Sequence, residues 1–118
     1  MAYRLTTILL SLMFASAACA QSNVPPFVAK LITQFDSASP DSSPNAVWQY
    51  RYKDATVYYV PRLACCDIMS RLYDANGKLI CRPDGGVAGG GDGQCTDFME
   101  ERKDGRQLWS ESRARLAQ

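Results

Sequence analysis

VWQYRYKDATVYYV, residues 47–60, is the stretch whose reading decides the fold. Trp48, Tyr50 and Tyr52 alternate with Gln49, Arg51 and Lys53, the period-two pattern of a strand whose two faces meet different surroundings. Thr56 to Val60 is β-branched or aromatic throughout. A two-residue turn at Lys53-Asp54 sets Tyr52 opposite Ala55, Tyr50 opposite Val57 and Trp48 opposite Tyr59. All three pairs then share one face, and Gln49, Arg51, Thr56 and Tyr58 share the other. A primed turn of this kind favours Gly at its second position, but Asp54 is tolerated because Asp visits the left-handed region. The aromatic face reads as core, with a carbohydrate- or peptide-binding platform as the alternative.

Towards the C-terminus a second hairpin follows. Met69–Tyr73 and Lys78–Cys81 flank Asp74-Ala75-Asn76-Gly77, which suits a type I turn closed by a left-handed glycine. Its register places Asp74 opposite Lys78, Tyr73 opposite Leu79 and Leu72 opposite Ile80. The turn lacks the acidic spacing and closing Glu of a calcium loop. Asp97 with Glu100 three residues later resembles a capping box and predicts a short helical turn. Lys103–Arg106 reads as a turn, and Gln107–Ser110 as a last strand or the start of a helix, with Trp109 docked on the core.

Towards the N-terminus, Phe27–Phe35 predicts a helix. Phe27, Val28, Leu31, Ile32 and Phe35 fall on one face, and Pro26 suits the first turn. So short a helix needs a packing partner. Asp36–Asn45, rich in Ser, Pro and Asp, reads as a linker. Arg4 is the sole charge before Lys30, an apolar run follows it, and Ala18-Cys19-Ala20 ends the run. These features predict a secretory signal cut after Ala20. The rival reading is a lipoprotein signal acylated at Cys19, although Ser16 stands where such signals usually carry Leu. The division expected is signal peptide 1–20, leader, helix and linker 21–46, hairpin domain 47–110 and tail 111–118.

Removing residues 1–20 from the 118-residue chain leaves 98, with 12 basic side chains against 12 acidic once Arg4 is lost. No cationic excess remains to hold nucleic acid or anionic lipid. A lipid anchor at Cys19 would be the only tie to a membrane. The expected state is an exported monomer, periplasmic, secreted or envelope-anchored. The chain has no His, which removes Ser-His-Asp and Cys-His triads and HExxH sites. No cofactor and no metal are expected.

Five cysteines become four when Cys19 goes with the signal: Cys65, Cys66, Cys81 and Cys95. An exported chain of this size with four Cys predicts two disulfides and no free thiol. A bridge between the neighbours Cys65 and Cys66 closes a strained ring, and their side chains diverge in an extended segment. That favours Cys65–Cys81 with Cys66–Cys95, or Cys65–Cys95 with Cys66–Cys81. The spacing does not fit the paired C-x₂₋₄-C of structural zinc sites. A redox-active vicinal pair is a further reading.

Between Cys81 and Cys95 lies DGGVAGGGDG, residues 84–93, with six glycines in ten positions. It fits neither G-x-x-x-x-G-K-[ST] nor G-x-G-x-x-G. One reading is a tight loop pinned at its ends. The other is a ligand or partner surface formed by Asp67, Asp84, Gly85, Gly86, Asp92 and Gly93, with the carboxylates as oxygen ligands or the backbone as an anion nest.

The segments VWQYRYKDATVYYVP, CCD (Cys65-Cys66-Asp67), LYDANGKLICRPDGG and GGGDGQCTDF, in that order, resemble an uncharacterised family of small exported bacterial proteins, a domain of unknown function. Members often carry Gly where Asp54 stands. The resemblance implies export and a joint role for the four cysteines, and no activity. The fold expected is α+β: the helix packed on an antiparallel sheet of two hairpins, stapled by two disulfides. The function expected is a non-enzymatic module that binds a protein or is structural. Alternatives are an inhibitor of an extracellular enzyme, a calcium- or ligand-binding domain using the glycine loop, and an enzyme built on Asp67, Asp84 and Asp92.

Overall fold

A computed structural model describes residues 24–61 and 67–111. It is α+β: one helix on a five-stranded antiparallel sheet. Helix α1 spans Pro26–Ser37 and starts where Pro26 supplies the fixed φ of a first turn. It ends where the Ala38 N–H turns back to the Phe35 carbonyl. A 3₁₀ turn, Pro40–Ser42, carries the chain into the sheet. The strands are β1 (Ala46–Tyr52), β2 (Ala55–Val60), β3 (Arg71–Tyr73), β4 (Leu79–Cys81) and β5 (Lys103–Ser110), with the short helix α2 (Phe98–Glu101) before β5. The spatial order is β4-β3-β2-β1-β5.

The β1–β2 register is the expected one: Trp48 faces Tyr59, Tyr50 faces Val57 and Tyr52 faces Ala55. Lys53 and Asp54 both take positive φ, 48° and 61°, as a primed turn requires. The second hairpin departs from expectation. Tyr73 faces Leu79, but Leu72 faces Cys81 rather than Ile80, because the ladder shifts by a residue between them. Ile80 is thereby left exposed.

The sheet has a third element beyond the hairpins. Lys103–Arg106 is not a turn but the first half of β5, paired to β1. The turn-like composition marks a bulge instead. Two residues of β5 lie between Lys103 and Arg106 while only one of β1 lies between Gln49 and Arg51, and Asp104 takes φ 53° to absorb the excess. A second irregularity opposite Val47 and Trp48 lets Leu108 and Trp109, adjacent in sequence, both pack on the helix side.

Both faces of the sheet are covered. On one, α1 packs through Phe27, Val28, Leu31, Ile32 and Phe35 onto Val47, Tyr58 and Val60. The face expected to be polar is therefore buried where the helix crosses it, and Tyr58 with it. Trp109 closes this layer, its ring tilted at 40° against Phe35 and its indole N–H donating to Asp36 at 2.9 Å. On the other face Tyr52, Val57, Tyr59 and Leu72 meet Cys81, Cys95 and Phe98. Each apolar side chain so buried contributes about 1.5–3 kcal/mol relative to exposure. The Phe98 ring sits among Tyr50, Tyr52 and Tyr59, with centroids 5.3–5.8 Å away. Trp48 and Tyr50 stack on each other and stay half-buried. The aromatic face is thus mostly core.

Candidate functional site

Cys81 and Cys95 are bonded to each other. This corrects both expected pairings. Cys81 ends β4 with its side chain on the aromatic face, and the segment before α2 brings Cys95 beneath it, so the thiols flanking the glycine loop meet. Cys65, Cys66 and Cys19 lie outside the described residues, as do residues 1–20.

The loop between the two cysteines is held by its own two carboxylates. Asp92 ties its ends together: one carboxylate oxygen accepts the Arg82 N–H at 2.9 Å, the other accepts the Gln94 N–H at 3.0 Å, and the Asp92 N–H donates to the Arg82 carbonyl at 2.9 Å. Asp84 ties the loop to the sheet. Its carboxylate accepts the Tyr59 hydroxyl at 2.9 Å. Its backbone N–H donates to the Ser70 hydroxyl at 3.0 Å, and its carbonyl accepts the Ser70 N–H at 2.9 Å. Ser70 is fully buried, and these bonds satisfy it. Burial pushes the Tyr59 hydroxyl well above the ordinary phenol range, and the Asp84 carboxylate adds to the shift. Tyr59 is therefore a neutral hydroxyl donating to the Asp84 carboxyl group.

Inside the loop, the Gly91 N–H donates to Gly85 at 3.0 Å, the Gly85 N–H to Gly89 at 3.1 Å and the Gly89 N–H to Gly86 at 3.1 Å. A side chain at Gly91, where φ is +66°, would collide with the Arg82 carbonyl. Gly86 leaves room for Met69 in the same way. The glycines here permit a closely folded backbone rather than a slack one. At the tip, Val87 is 88% exposed.

The proposed surface thus sorts into different roles. Asp84 and Asp92 brace the loop, Gly85 and Gly86 shape it, and Gly93 takes φ +78° in open space. Asp67 is exposed, and among the described residues no hydrogen bond joins it to this network. Among the described residues, no three His, Cys, Asp or Glu side chains converge as metal ligands, and no helix is long and apolar enough to cross a membrane.

A second polar cluster sits at the opposite end of β1. The Tyr52 hydroxyl donates to Asp97, and Lys53 lies 3.5 Å from the other carboxylate oxygen. Asp97 therefore does not cap α2 with its side chain, as the capping-box reading expected. The Tyr52 hydrogen bond holds the Asp97 carboxyl below the usual range, and burial raises the Tyr52 hydroxyl. The Tyr52 hydroxyl first, and the Asp97 charge second, raise Lys53. A depression of about 190 Å³ beside the cluster is lined by Arg51, Lys53, Asp54, Asp97, Glu101 and Lys103, cations and anions in balance.

Sequence reasoning missed Tyr59 and Ser70 as loop partners. The signal available was only that Tyr59 falls on the core face, where a buried phenol needs an acceptor. It also missed Val87, whose setting among six glycines is visible in the sequence.

No match to this chain is found among curated proteins, nor among solved structures. Residues 33–111 match the domain of unknown function DUF6970, and the chain belongs to that family.

Proposed function

We propose that the chain is an exported, non-enzymatic module that acts by binding another protein, with the glycine loop as its presented element. The observation that supports this most is the state of Asp84 and Asp92. Both carboxylates are engaged in holding the loop's shape. As general acids, bases or calcium ligands they would have to leave those bonds. The inhibitor reading is less well supported. Val87 and Ala88 form the corner of a turn closed by the Gly89 N–H on Gly86, whereas a peptidase cleft takes up extended chain.

Export rests on the segment from Arg4 to Ala20 and fits the disulfide. The two-disulfide expectation now rests on Cys65 and Cys66, which lie outside the described residues. Mass spectrometry of the protein recovered from its source tests both points. The expected product begins at Gln21, or at an acylated Cys19, and unfolding without reductant exposes no titratable thiol. An intact Met1 overturns export, and two reactive thiols overturn the second bridge. Size analysis of gently solubilised envelope tests the binding role: the module is expected in a complex larger than itself, and recovery only as the free domain overturns it.

A further inference from the structure

The turn between β3 and β4 holds a reactive pair, Asn76-Gly77. Asn is among the chemically labile residues, and a following Gly leaves its side-chain amide carbon open to the next backbone nitrogen. Four positions in the chain set Asn or Asp before Gly: Asn76, Asp84, Asp92 and Asp104. Chemistry and structure together separate them. An aspartate carboxyl would have to expel hydroxide, a far poorer leaving group than the ammonia of an Asn. The carboxylates of Asp84 and Asp92 are also held, by Tyr59, Arg82 and Gln94. Asn76 is exposed, and among the described residues only its backbone N–H is engaged, by Asp74. Gly77 is required by the fold. Its φ is +83°, and a Cβ there would lie 2.9 Å from the Phe27 ring. The reactive pair therefore belongs to the packing of the hairpin against α1.

We propose that Asn76 is a site of spontaneous backbone modification whose rate is set by the turn that Asp74 closes. In the first step the Gly77 nitrogen bonds to Asn76 Cγ, the Cγ–Nδ2 bond breaks, and ammonia leaves with the Gly77 amide proton. Water then opens the cyclic imide on either side. One opening gives Asp, and the other gives isoaspartate, whose backbone runs through the former side chain. Asp74 opposes the first step. One of its carboxylate oxygens accepts the Asn76 and Lys78 N–H groups, each at 2.9 Å. Its carbonyl accepts the Gly77 N–H at 3.2 Å, and its own N–H donates to the Lys78 carbonyl at 2.9 Å. The attacking nitrogen must give up the Asp74 carbonyl, so the turn has to open before the imide can close. The isoaspartate product undoes the turn. It adds a carbon to a backbone whose register is set by Tyr73 opposite Leu79. It also displaces Gly77 from Phe27, whose ring packs on Tyr58 and Tyr73 with centroids 5.4 Å and 5.9 Å away. The modification thus reaches the first turn of α1.

The test incubates the folded protein, as recovered from its source, in warm and mildly alkaline buffer. Peptide mass spectrometry and enzymatic methylation of isoaspartate follow the products. Conversion is expected at Asn76 and not at the exposed Asn45, which precedes Ala46. Its rate should rise with pH, because the attacking nitrogen must lose its proton. Asp74→Ala should convert about tenfold or more faster, the effect of two lost hydrogen bonds on the opening of the turn. Asn76→Gln should suppress conversion in either background. If Asp74→Ala does not fold, wild type in denaturant replaces it, and the same acceleration is expected. The purified isoaspartate form should melt below wild type, whereas Asn76→Asp, with the same added charge on an ordinary backbone, should melt close to it. Conversion no faster at Asn76 than at Asn45 overturns the site. Equal rates in wild type and folded Asp74→Ala, or in folded and denatured wild type, overturn control by the turn. An isoaspartate form that melts with wild type overturns the effect on α1.

Discussion

The Tyr59 hydroxyl donates to the Asp84 carboxylate across 25 residues of chain, joining the centre of the sheet to the base of the glycine loop. Asp84→Ala leaves that buried hydroxyl without an acceptor, at a cost of about 1–3 kcal/mol. Tyr59→Phe removes donor and need together and costs about 1 kcal/mol. The double variant should lose less than the sum of the two, because the residues share one interaction. Denaturant melts of all three read this out. Strict additivity would mean the contact carries no energy.

Stability should fall in alkali. The folded-state pKa values of Tyr52, Tyr58 and Tyr59 are raised, in each case chiefly by burial. In the unfolded chain these phenols ionise near pH ~10. Above that pH the unfolded state releases protons that the folded state retains. The stabilisation is complete below pH ~10 and is lost as pH rises towards the folded values. Tyr59→Phe should flatten this decline, and an equal alkaline slope in that variant would refute the assignment. At the acid end Asp97, lowered by the Tyr52 hydrogen bond, contributes above pH ~4 and loses its contribution below it.

Replacing Cys81 and Cys95 together with Ser should cost about 3 kcal/mol, the chain-entropy value for a loop of this size. Non-reducing peptide maps of the wild type should recover the two cysteines in one linked fragment. A fragment linking either of them to Cys65 or Cys66 would contradict the bridge found here.

Gly89 and Gly91 make a controlled pair. Both have positive φ, +80° and +66°, but only Gly91 faces the Arg82 carbonyl. Gly89→Ala should cost about 1–2 kcal/mol, the penalty of the left-handed region alone. Gly91→Ala should cost clearly more, because Arg82 also anchors the Asp92 hydrogen bonds. Equal melting temperatures for the two would show that the loop is slack.

Calcium at millimolar concentration should leave the melting temperature unchanged, since Asp84 and Asp92 are already engaged. A rise would show that the ion displaces those bonds.

The first hairpin was legible because alternation and turn position support one register, so Trp48, Tyr50 and Tyr52 are placed by local pattern alone. The helix was legible for the same reason. The disulfide was not, because adjacency of Cys65 and Cys66 is a sequence fact whereas proximity of Cys81 and Cys95 follows from β4 lying over the return to α2. Gln107–Ser110 was legible as a last strand or the start of a helix, but the first half of β5 was hidden because Asp104-Gly105 carries the composition of a turn, and a bulge uses the same residues. Asp97 deceived because its spacing to Glu100 is local, while its acceptor role is set by Tyr52, a partner 45 residues earlier in the chain. The bracing of Asp84 was out of reach for the same reason: Tyr59 and Ser70 meet it only through the assembled sheet.

The two irregularities in β5 have a consequence at the sheet's margin. An outermost strand of eight residues is an open template on which a second molecule can grow a ladder, and so begin a fibre. Here the template is broken twice, by the left-handed Asp104 and again at Leu108, and it begins with Lys103 and Arg106. At the other margin β4 is only three residues long. Neither rim offers a straight, uncharged run for another copy to join, so a domain this rich in β-branched and aromatic residues is protected from polymerising with itself.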